Sequence, residues 1–165
     1  NVIINLGIYH FYQHNYRECL KLLNSFEHTE TWYKNHMGVE WLLKRDLMTI
    51  LLYNDSGDKD LAESKIRSTE RKYAPLFEQD RYKRVKAFLS IIKQVVYNED
   101  LLDMEQLEKR IQVSFEWVPY EEKDLQAMIF YAWLRGKIID STFYESIVDL
   151  VSNDNKKRNH RLSRR

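Results

Sequence analysis

At 165 residues the chain is long enough for one hydrophobic core or a short stack of repeats, and too short for two ordinary domains to be the default. Four glycines and two prolines leave little material for tight turns or glycine-rich phosphate loops, so a doubly wound nucleotide-binding fold is disfavoured and helices are favoured. Net charge is +1, but of the 26 basic residues six lie in the last ten, which leaves 20 against 25 acidic side chains in residues 1–155: a body of −5 with a tail of +6. No run of about 18 apolar residues could span a bilayer, so no membrane partner is expected. The lone Cys19 has no internal partner, and its apolar neighbours suggest a buried thiol in a reducing compartment, hence a cytoplasmic protein.

The first predicted helix pair covers Ile3 to Tyr12 and Tyr16 to Phe26, separated by a turn at His14-Asn15, with Leu20, Leu22, Leu23 and Phe26 on the apolar face of its second helix. The second pair covers Thr31 to Tyr53, carrying Trp32, Trp41 and a run of aliphatic residues, and Asp58 to Tyr73. Asp58 stands as N-cap, and Pro75 lies beyond the helix end. The third pair is placed at Asp80 to Tyr97 and Asp103 to Phe115, where Asp103 with Gln106 reads as a capping box and Leu102 with Leu107 as a hydrophobic staple. A fourth pair spans Tyr120 to Arg135, closed by Gly136, and Thr142 to Val151, where Thr142 and Glu145 form another capping box. A conventional helical bundle would contain the same amphipathic helices.

In the first pair, Ile3, Leu6-Gly7 and His10 followed by Tyr16, Cys19 and Leu23 are spaced like one unit of a two-helix repeat. This spacing resembles the tetratricopeptide pattern, in which a glycine on the first helix lets the second approach against a small residue. Tyr53, Gly57, Ala62 and Ile66 fall at the matching places of the second pair, with Thr49-Ile50 where Leu-Gly is expected. The chain is thereby similar to degenerate bacterial repeat proteins whose functions are uncharacterised. The resemblance implies an all-α, right-handed tetratricopeptide-like superhelix, or solenoid, of about four helix hairpins over residues 1–152. This domain would be the C-terminal part of a longer protein, and residues 153–165 its basic, disordered tail.

In such repeats the inner helix face holds partner peptides, and by register those positions here are Ile4, Ile8, Phe11 and Tyr12. The expected function is therefore a non-enzymatic scaffold that binds a protein or peptide on a concave face. The alternative is nucleic-acid or ribonucleoprotein binding. Lys83, Arg84 and Lys86, interleaved with Tyr82 and Phe88, would supply phosphate contact and stacking, and the basic tail, Lys156, Lys157, Arg158, Arg161, Arg164 and Arg165, would be a second contact region. No glycine-rich phosphate loop, G-x-S-x-G, H-E-x-x-H or paired C-x-x-C occurs, so no catalytic residue and no cofactor is assigned. His10, His14 and Glu18 would share a face only if the helix ran through the turn, so they are not read as a metal site. Trp41, Trp117 and Trp133 are assigned to packing.

Overall fold

A computed structural model describes residues 2–25, 27–98, 105–107, 109, 130 and 132–137, and all the regular structure among them is helical. The elements are α1 (Val2–Tyr12), α2 (Tyr16–Asn24), α3 (Glu30–Met37), α4 (Val39–Asp55), α5 (Lys59–Phe77), a 3₁₀ turn (Asp80–Tyr82) and α6 (Lys83–Asn98). Contacts divide the chain into two compact units, residues 1–101 and 102–165, where the sequence suggests one continuous body to residue 152 and a tail.

In the first unit α1 packs on α2, α2 and α3 on α4, α4 on α5, and α5 on α6. The buried stripe of α5, Ala62, Ile66, Thr69, Tyr73 and Phe77, follows the three-and-four spacing of a one-sided helix. Most of α4 is buried from Trp41 to Leu52, as a helix packed on several sides must be. In the second unit Glu105–Leu107 are helical with Leu107 buried, and Phe130, Ala132, Trp133 and Leu134 are buried. The helix there continues through Gly136 to Lys137, so Gly136 does not close it at Arg135. Asp103, Trp117 and the Thr142 to Val151 segment lie outside the described residues.

The hairpins α1–α2 and α4–α5 turn in the same way. After α1, the Asn15 amide donates to the His10 carbonyl (2.9 Å) and the His14 amide to the Phe11 carbonyl (3.0 Å), the paired bonds of a Schellman cap. After α4, the Asp58 amide donates to Tyr53 (2.9 Å) and the Gly57 amide to Asn54 (3.2 Å) in the same pattern. The pivotal residue has positive φ in both, 56° at His14 and 86° at Gly57, and only the second hairpin uses the residue for which that conformation is free of strain. The next helices start alike too: the Cys19 amide donates to Asn15 and the Ala62 amide to Asp58, both at 3.0 Å. Cys19 and Ala62, and one turn later Leu23 and Ile66, are buried at matching places.

Three local expectations change. The helix expected over Thr31 to Tyr53 is two helices, because Gly38 takes φ 84° between them and breaks the ladder. Pro75 lies inside α5, which runs on to Phe77; the ring sits in the last turn, where burial of Tyr73 and Phe77 on either side holds the helix. Gly7 does face Leu23 and Cys19, but a Cβ built there would stand 3.5 Å from Leu23 Cδ2 and 3.9 Å from Cys19 Sγ, which is ordinary contact. The approach of α1 to α2 therefore leaves room for an alanine.

Candidate functional site

The apolar run of α4 contains one acid, Asp46, at helical spacing from Leu43 and Ile50, which puts a carboxylate on a buried face. Asp46 is 1% exposed. A buried charge persists only with partners. Lys65 Nζ donates to its Oδ1 (2.9 Å), as does Arg45 Nη2 (2.9 Å), while Tyr73 Oη (2.8 Å) and Lys72 Nζ (3.0 Å) donate to its Oδ2. Burial pushes this carboxyl upward, but the charges of Lys65 and Arg45 and the bonds from Lys65 and Tyr73 outweigh it and hold the group at about 2. Burial, then the Asp46 charge, raises the Tyr73 hydroxyl, which remains a donor.

A second carboxylate lies above the first. Glu30 Oε1, at the start of α3, accepts from Arg45 Nη2 (2.6 Å) and Lys72 Nζ (2.8 Å). The Lys72 bond chiefly lowers the Glu30 carboxyl, with Arg45 adding to it against a smaller effect of burial. Two carboxylates and three cations thus join α3, α4 and α5 in one network. Its partners are separated by up to 42 residues in the chain, so no local spacing announces them. The signal available in sequence was Asp46 itself, the one acid between Trp41 and Leu52, directly after Lys44 and Arg45.

The predicted partner-binding residues are placed differently from expectation. Ile4, Ile8 and Phe11 are buried, with the Phe11 ring 5.8 Å from that of Tyr16, and Tyr12 is half-buried with burial raising its hydroxyl. Their register, two turns of one stripe, is that of a core seam between α1 and α2 rather than an open groove. The opposite face of α1 is the exposed one. Val2, Leu6 and Tyr9 are 79, 43 and 58% exposed, and they follow i, i+4, i+7 with Asn5 and Gln13 beside them. That face carries no charged side chain. Both faces of α1 are apolar, so only packing tells which is covered.

The basic and aromatic stretch is also resolved in detail. Tyr82 and Phe88 are buried, which withdraws both rings from base stacking. Lys83 pairs with Asp80 at 2.7 Å and Lys86 with Glu78 at 3.2 Å, so the cations there alternate with carboxylates. Lys156, Lys157, Arg158, Arg161, Arg164 and Arg165 lie outside the described residues. Trp41 and Trp133 are buried, as assigned. His10 is half-buried on α1, while His14 sits in the turn with Nδ1 2.9 Å from the Tyr16 hydroxyl. Among the described residues no three His, Cys, Asp or Glu side chains come together as metal ligands would, and no helix is long and apolar enough to cross a membrane. Cys19 is free and buried, and burial pushes its thiol up to about 11.

No family model, no curated protein and no solved structure matches this chain.

Proposed function

We propose that the chain is a non-enzymatic, tetratricopeptide-like interaction module that receives a partner helix on the outer face of α1, through Val2, Leu6 and Tyr9. The observation that carries this reading is a contrast between matching helices. By the register of the two turns, Val2, Leu6 and Tyr9 correspond to Arg45, Thr49 and Leu52 of α4. On α4 these positions are largely or fully buried in a helix packed by α2, α3 and α5, whereas on α1 they are open. What fits the open face is therefore another helix. An uncharged stripe at i, i+4, i+7 matches a ridge of apolar side chains and offers nothing to a salt-dependent partner. The repeated turns, and the paired small and bulky residues Cys19/Leu23 and Ala62/Ile66, support the repeat itself. The buried lone thiol suits an intracellular setting.

A photo-crosslinking residue placed at Tyr9 in the full chain, followed by mapping of the crosslinked peptide, tests the proposal. A crosslink to an amphipathic helical segment of another polypeptide, lost on Leu6→Glu, is the expected result. A crosslink to Tyr9 of a second copy would replace the partner by self-association. A crosslink indifferent to Leu6→Glu, or none, would overturn the reading.

A further inference from the structure

α3 packs on α4 yet contributes no buried side chain. Two of its attachments reach α4 and α5. Tyr33 stacks on Trp41 with centroids 5.1 Å apart and planes inclined 11°, and Glu30 reaches Arg45 and Lys72. At its far end Gly38, with φ 84°, joins α3 to α4, and a single residue of that kind can absorb a rotation of the whole helix.

Beneath Glu30, Arg45 and Lys72 are held in place from the other side by Asp46, so the two cations stay converged whether or not Glu30 is present. Glu30 is 54% exposed on its side chain, so water and small ions reach the outer edge of the same contacts. A carboxylate oxygen already seated between a guanidinium and an ammonium shows which chemistry the seat accepts.

We propose that Arg45 and Lys72 form an oxyanion seat, that Glu30 fills it when α3 is closed, and that an external oxyanion, phosphoryl or carboxylate, displaces Glu30 and frees α3 to swing about Gly38. The seat and the latch share one pair of cations, so anion binding and α3 docking exclude each other by mass action. This device is independent of the partner face on α1.

The test uses the full chain, with inorganic phosphate and acetate as probes against chloride at equal ionic strength. Calorimetry reads binding, and amide exchange over residues 33–37 reads the latch. Glu30→Gln, which keeps shape and removes charge at a half-exposed position, is expected to tighten phosphate binding at least tenfold and to speed exchange in α3 without added anion. Phosphate should speed α3 exchange in the parent chain. Acetate acting equally well assigns the seat to carboxylates, and phosphate alone assigns it to phosphoryl groups. Lys72→Gln should abolish the anion effect, and circular dichroism checks that it folds. Phosphate affinity unchanged by Glu30→Gln, or α3 exchange unmoved by both the substitution and the anions, would overturn the proposal.

Discussion

The hairpins α1–α2 and α4–α5 share a turn, a register and a buried small-then-bulky pair, yet the second sets a buried ion pair into its apolar core where the first has only apolar residues. In the first, α1 carries no Asp, Glu, Lys or Arg, and its seam is Ile4, Ile8, Phe11, Cys19 and Leu23. In the second, the places matching Ile3 and Leu22 are taken by Asp46 and Lys65, 2.9 Å apart. One backbone plan thus accepts an apolar seam or a buried ion pair, provided that the charges are fully partnered. The apolar hairpin has hydrophobic surface to spare and shows it on α1. In the second hairpin Arg45 and Lys72 also reach Glu30 of a third helix.

The comparison breaks most visibly at Asp46. Asp46→Ala removes the buried carboxylate that Arg45, Lys65 and Lys72 converge on, with an expected cost of about 3–5 kcal/mol, read by chemical denaturation. Phe11→Ala should cost a similar amount, about 3–5 kcal/mol, by opening a cavity in the apolar hairpin. The two losses differ in kind: the first should shrink as pH falls toward 2 and the second should stay nearly as it was.

Acid sharpens the contrast further. The Asp46 carboxyl lies at about 2 in the folded protein against an ordinary 3.8, so its contribution is complete above the ordinary value and is lost as pH falls toward the folded one. The shift is worth about 2 kcal/mol. Denaturation followed between neutral pH and pH 2 should show that loss in the parent chain, and Asp46→Asn should flatten it.

A smaller effect tests the turns. His14 holds the positive φ that Gly57 holds in the matching turn, so His14→Gly is expected to raise stability by about 1 kcal/mol, less whatever the contact with Tyr16 contributes. A thermal melt reads it, and a loss of stability would mean that this contact outweighs the backbone strain. Smallest of all, Leu6→Glu lies on the open face of α1 and should change stability by less than about 0.5 kcal/mol, while removing the crosslink described above. A large loss of helicity would place Leu6 in the core and sink the partner face.

The helical class, the turn at His14-Asn15, the turn glycine at Gly57 and the small-bulky pairs were legible in the chain because each is a short-range demand. Spacing of apolar residues, a residue suited to positive φ and a small residue against a neighbouring helix all act within a few positions. The break at Gly38 was equally local but was hidden because helix-compatible residues run on both sides of it, and the tolerance of Pro75 depended on burial of Tyr73 and Phe77, which no spacing reveals.

The sequence by itself determined that these segments are helices and that they pair through short turns. Which face of α1 is covered, and which cations reach Asp46 and Glu30, only the tertiary structure decided. α1 is apolar on both sides, so burial there follows from what packs against it, and Glu30 meets Arg45 and Lys72 across 15 and 42 residues of chain. Periodicity speaks for one helix at a time; charge partners and docking faces belong to the space between helices.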